Sequence, residues 1–94
     1  MKINVSKEAA QWFIEELDLK ENDSIKFYGK VYGPFDGFSI GMDKVEPSKA
    51  EVMVTVEGIN FYVEQNDAWF FDNQDLNVTY DNERKEVSYQ FIDR

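Results

Sequence analysis

Apolar residues recur along this chain with two different periods, and the change between them divides it into a helix followed by strands. In "VSKEAAQWFIEELDL", Ala10, Phe13, Ile14 and Leu17 stand at i, i+3, i+4 and i+7, the spacing that gathers apolar side chains on one face of a helix. Ser6 precedes the run as an N-cap, and Glu8 occupies the first turn, where the helix dipole favours negative charge. Glu15 and Glu16 fall off the stripe. Trp12 falls beside it and reads as a flank of the core with an exposed indole edge. "KENDS" then closes the helix with turn residues.

Beyond this point the period becomes two. Ile25, Phe27 and Val31 alternate with Lys26, Tyr28, Lys30 and Tyr32, and Gly29 is a candidate bulge. Phe38, Ile40 and Met42 alternate with Ser39, Gly41 and Asp43, and "EPSK" makes a loop. "EVMVTVEGINFYVE" reads as a hairpin, with Val52, Val54 and Val56 on one arm, Ile59, Phe61 and Val63 on the other, and Glu57-Gly58 as the short turn. "NDAWFFDNQD" interrupts the sheet, and Asn66 or Asp67 is positioned to cap a single helical turn carrying Trp69, Phe70 and Phe71. Three adjacent aromatics cannot all face inward on one element, so at least one should be exposed. Leu76, Val78 and Tyr80, then Val87, Tyr89 and Phe91, form a last pair of strands around the charged turn "DNERK". The pattern predicts an α+β fold: small, mostly antiparallel β-sheets packed with one N-terminal amphipathic helix. The antiparallel expectation follows from the short loops, which cannot make parallel crossovers.

Composition narrows the chemistry more than the fold. Residues 1–94 are expected to form a single domain, because 94 residues divided in two would leave halves too small for a core. Aromatics make up 16% of the chain, which argues against disorder. Nineteen acidic residues against ten basic leave a net charge of −9. Such a surface repels phosphate backbones and anionic membranes, so neither nucleic acid nor membrane is an expected partner. It suits solubility or a partner with a basic patch. The opening residues lack the apolar run of a signal peptide, and no stretch has the length of a membrane helix. The simplest expectation is a cytoplasmic protein.

The chain contains no cysteine and no histidine, which removes the strongest nucleophile, the commonest general base and the usual ligands of soft metals. "GFSIG" around Ser39 breaks the spacing of a nucleophile elbow, and "GKVYGPFDG" is not a phosphate-binding loop. "DNQDLN" opens like a calcium loop, but Asn77 stands where the sixth-position glycine belongs. Asp36, Asp43, Asp72, Asp75 and Asp81 are formally available to a paired-carboxylate hydrolase. Acidic residues in turns more commonly serve turn geometry. No catalytic residue, metal ligand or cofactor is expected.

Over nearly its whole length the chain resembles the HesB-like domain of the A-type iron–sulfur carriers, the HesB/IscA family. "INVSKEAAQWFIEEL" is similar to that family's short strand and amphipathic helix. "IKFYGKVYGPFDGFSIGM" resembles the strand, Gly-containing loop and strand that carry its first ligand cysteine. "INFYVEQNDAWFFDNQDLNVTYDNERKEVSYQF" resembles its strand, single turn and final hairpin. The ligands themselves are missing: "GPFDG" replaces a Gly-Cys-Ser-Gly-like stretch, and the Cys-Gly-Cys tail has no counterpart. The resemblance implies the fold, a cysteine-less HesB-like domain, but not cluster transfer.

The expectation is therefore a non-catalytic protein-binding or accessory HesB/IscA-like protein. Four of the five glycines fall in residues 29–43, and the Gly29–Gly41 loop is the first candidate surface, through Tyr32, Gly33, Phe35, Asp36, Gly37 and Phe38. Trp69 is the second, against the alternative that Trp69, Phe70 and Phe71 are core beneath the helical turn. Two other functions stay open: an iron or hard-cation binding protein linked to cluster assembly, which carboxylate oxygens would suit, and the small carboxylate-dependent hydrolase.

Overall fold

Ser6 caps the helix as its position predicts. Its hydroxyl oxygen accepts from the Ala9 N–H at 3.1 Å, and helix α1 runs from Lys7 to Leu17 before Asp18 turns into the left-handed region. The computed structural model describes residues 1–32, 37–72 and 74–93. Among these, α1 follows a short strand, β1 (Ile3–Val5), and precedes β2 (Ser24–Tyr32), β3 (Gly37–Lys44), β4 (Ala50–Val56) and β5 (Ile59–Glu64). A 3-10 helix, Gln65–Phe71, then leads to β6 (Gln74–Asp81) and β7 (Glu86–Asp93).

The strands form two sheets, ordered β3-β2-β5-β4 and β1-β6-β7. Both are mixed, which corrects the expectation of mostly antiparallel sheets. The hairpins β2–β3, β4–β5 and β6–β7 pair antiparallel, but β2 pairs parallel with β5 and β1 pairs parallel with β6. Short loops do forbid parallel pairing between successive strands. The parallel partners here are distant in sequence, so the intervening strands themselves make the crossover.

The helix buries the stripe the spacing predicts, with Ala9 added to it. Ala9, Ala10 and Phe13 are fully buried, whereas Ile14 and Leu17 are only partly so. Two alanines let the helix approach closely, and Phe13 fills the space beyond them. Its ring lies 5.8 Å from Phe27 and 5.5 Å from Phe61, which are themselves stacked at 8° across the parallel β2–β5 pair. Ile3, Val5, Leu76 and Val78 close the core from the three-stranded sheet. Trp12 flanks this core as expected, half-buried and edge-on to Phe13.

The turn chemistry of the β4–β5 hairpin is explicit. Glu57 and Gly58 have φ of 53° and 78°, the double left-handed backbone of the tight turn that matches strand twist. The outer face of the four-stranded sheet is crossed by the β3–β4 connection. Tyr62 donates its hydroxyl proton to the Val45 carbonyl at 2.6 Å, and the Glu64 carboxylate accepts from the Ser48 and Lys49 amides, each at 2.9 Å. This loop explains how Tyr62, on the solvent side of the strand alternation, is fully buried.

Candidate functional site

Gly29 keeps its place in an unbroken β2–β3 register opposite Ile40, so it is not a bulge. Its role is spatial. A Cβ at Gly29 would fall 2.1 Å from Phe70 Cγ and Cδ2, well inside carbon–carbon contact distance. The phenyl ring therefore lies directly on the strand backbone, where any side chain would exclude it.

The 3-10 helix that delivers Phe70 distributes its three aromatics unequally. Phe71 is buried, Phe70 covers Gly29, and Trp69 is 68% exposed. Glu64 occupies the N-cap position without a side-chain capping bond, which corrects the assignment of Asn66 or Asp67 as the cap. The carboxylate of Glu64 is committed to the two loop amides instead. From β7, Phe91 approaches to 6.0 Å from Phe70 and 5.9 Å from Phe71. Trp69, Phe70, Gln74 and Phe91 thereby line a cleft of about 270 Å³. Gln74 is oriented across the hairpin, its Nε2 donating to Asp93 Oδ1 at 2.9 Å.

Of the residues predicted at the Gly-rich loop, Tyr32 pairs with Gly37, and Phe38 pairs with Val31, at the end of the β2–β3 hairpin. Gly33, Phe35 and Asp36 lie outside the described residues. Trp69 is at a distance in sequence, yet its neighbour Phe70 rests on the same strand three residues before Tyr32. Strand β2 thus connects the two predicted regions. Nothing in the sequence singles out Phe91 or Gln74. The hairpin pattern predicts Phe91 as one more apolar strand position, and nothing local shows that it meets a helix some twenty residues earlier.

A second cleft of about 240 Å³ is lined by Glu8, Gln11, Trp12, Glu15, Tyr80 and Asn82. Burial raises the phenols of Tyr62 and Tyr89 to about 12, and at Tyr62 the carboxylates of Glu64, Glu46, Asp43 and Asp67 add to the effect. Asp23 is held below the usual carboxylate range mainly by the Lys20 amide, which donates to Oδ2 at 2.7 Å. Among the described residues, no three His, Cys, Asp or Glu side chains converge as a metal would require, and no helix is long and apolar enough to cross a membrane.

No family model matches the chain. Its backbone is similar to the crystal structure of Escherichia coli SufA, a protein involved in biosynthesis of iron–sulfur clusters. The TM-score is 0.63 at 15% identity, over 95% of this chain and 79% of SufA. That likeness shows the HesB/IscA-like fold. The donor set does not fit an iron–sulfur cargo, because clusters are held by thiolates or, less often, imidazoles and the sequence has neither. In sequence, the chain is 32% identical to an uncharacterised protein of Staphylococcus haemolyticus, over 95% of this chain and 96% of that one. It is 36% identical to the Bacillus subtilis protein named pyruvate dehydrogenase inhibitor, over 97% of this chain and 99% of that protein. Similarity that runs the whole length of both chains establishes common descent: the chain belongs to the family of the Bacillus subtilis pyruvate dehydrogenase inhibitor.

Proposed function

We propose that this chain is a non-catalytic regulator that binds another protein and, like its Bacillus subtilis relative by name, restrains pyruvate dehydrogenase. The observation that carries this reading is the 36% identity spread over 97% of the chain. An exposed tryptophan at the mouth of an apolar cleft supports a mode of action by contact, since tryptophan is enriched among residues that dominate protein interfaces. The excess of carboxylates supports a basic partner surface, whose attraction would chiefly raise the association rate.

The test is a steady-state assay of purified Bacillus subtilis pyruvate dehydrogenase with this chain added, and the Bacillus subtilis relative as positive control. Dose-dependent inhibition by both proteins is the expected result. Inhibition by the relative alone rejects the reading.

A role beside iron–sulfur cluster assembly is the second reading, and the SufA-like fold favours it. Without thiolates, such a role would rest on iron held by carboxylates, although among the described residues no three of them converge. Calorimetric titration with iron under anaerobic conditions separates it from the first reading.

A further inference from the structure

Strand β6 and the 3-10 helix before it belong to a long segment of one sign. Between Lys49 and Arg84 the sequence has no lysine or arginine, yet it has Glu51, Glu57, Glu64, Asp67, Asp72, Asp75, Asp81 and Glu83. Three of the four residues lining the apolar cleft, Trp69, Phe70 and Gln74, come from this segment. Asp67 and Asp72 stand towards the two ends of the helix, and Asp93 accepts from Gln74 on the cleft wall. Asp67, Asp72 and Asp93 make no ion pair among the described residues. Asp93 thus stands on the cleft wall through Gln74, and Asp67 and Asp72 flank the cleft's aromatics in sequence within a segment that carries no lysine or arginine.

We propose that the Trp69–Phe70–Phe91 cleft receives one large apolar side chain from a partner segment that carries lysine or arginine on both sides of it. This rests on the reading that the chain acts by binding a protein, and not on which protein that is. The cleft volume of about 270 Å³ suits a single aromatic or leucine side chain rather than a helix face. Trp69 is 68% exposed, and an indole has only two side-chain torsions to order on binding. Phe70, held on Gly29, is the rigid floor.

Charge selects among the occupants. A second copy of the chain would bring another net charge of −9 against the same acidic border, so self-association is opposed. An anionic membrane surface is opposed for the same reason. A segment with basic residues on either side of its apolar anchor is attracted by the border and anchored by the cleft.

Trp12 and Trp69 are the two tryptophans of the chain, so in Trp12→Phe the emission reports Trp69 alone. The probe is the peptide Lys-Lys-Phe-Lys-Lys, with Glu-Glu-Phe-Glu-Glu as its counterpart. The expected result is a saturable blue shift with the first peptide and none with the second. Affinity should be about tenfold weaker in 1 M than in 0.1 M salt, as the Debye length falls from about 10 Å to about 3 Å. Phe91→Ala should abolish the shift. Asp72→Lys, an exposed change that leaves the core intact, should weaken it several-fold while circular dichroism stays unchanged. Equal shifts with both peptides, no shift with either, or a blue shift on concentrating the protein alone would each overturn the proposal, the last by assigning the cleft to a second copy. The pyruvate dehydrogenase assay is read separately. Peptide binding without inhibition rejects the enzyme target and keeps the cleft, whereas inhibition without peptide binding does the reverse.

Discussion

The phenyl ring of Phe70 rests on the backbone of Gly29, with Cγ and Cδ2 only 2.1 Å from where a Cβ would stand. A glycine in the middle of β2 is costly for a strand, since it adds no packing and loses more conformational entropy than other residues. Here its missing side chain is what admits the helix of residues 65–71 onto the sheet.

Gly29→Ala should therefore destabilise the fold by about 1–3 kcal/mol, the usual range for forcing extra atoms into a packed site. Phe70→Ala should also destabilise it, but the double variant should cost less than the sum of the two, because the ring that clashes with the new methyl is gone. Urea denaturation of the four proteins gives the coupling, which contacting residues commonly show at about 0.5–3 kcal/mol. Strict additivity would place Phe70 elsewhere.

Phe13→Ala should cost about 3–5 kcal/mol, the typical loss for a buried phenylalanine, since its ring contacts both Phe27 and Phe61. Glu16→Ala lies on the exposed face and should change stability by no more than about 0.5 kcal/mol. Denaturation midpoints compared side by side check both values at once.

Tyr62 should make the protein sensitive to alkali. Burial holds its folded-state pKa up at about 12, while the unfolded phenol titrates near 10. Below about pH 10 both states keep the proton and Tyr62 contributes no pH dependence. Above it the unfolded chain ionises first, so stability falls between about pH 10 and 12. The full loss approaches about 2–3 kcal/mol at roughly 1.4 kcal/mol per unit. Tyr89 is shifted in the same direction and adds to the fall. Tyr62→Phe should lower stability near neutral pH through the lost bond to Val45 and flatten the decline above pH 10. A denaturation series from pH 8 to 12 reads both.

Anaerobic reconstitution with iron and sulfide should leave no cluster on the desalted protein, despite the SufA-like backbone. Iron–sulfur clusters need thiolate or imidazole ligands, and the sequence supplies neither. A stoichiometric visible charge-transfer band that survives desalting would contradict this expectation.

Local signals in the chain read reliably where one residue carries the physics. Ser6 as N-cap, Glu57-Gly58 as a tight turn and the alternation of the last hairpin are all legible because each depends on neighbours within a few positions. The stripe of Ala10, Phe13, Ile14 and Leu17 faces the core as its spacing predicts, but Ala9, buried beside it where α1 packs closely, is not legible because alanine carries little apolar weight in a pattern. Of the candidate site, Trp69 was identifiable from three consecutive aromatics, whereas Phe91 and Gln74 were not, being ordinary members of their strands.

The α+β class, the acidic excess and the lack of thiolate and imidazole chemistry follow from composition and short-range periodicity alone. The tertiary structure decided the mixed sheets, because a strand's pairing direction depends on partners dozens of residues away, as in Ile3 with Leu76. It also decided why Gly29 is glycine. That answer required the ring of Phe70, which is far along the chain and reaches β2 only once the helix of residues 65–71 has docked. Long-range contacts of this kind leave no periodic mark on either partner, so only the folded chain reveals the cleft they build.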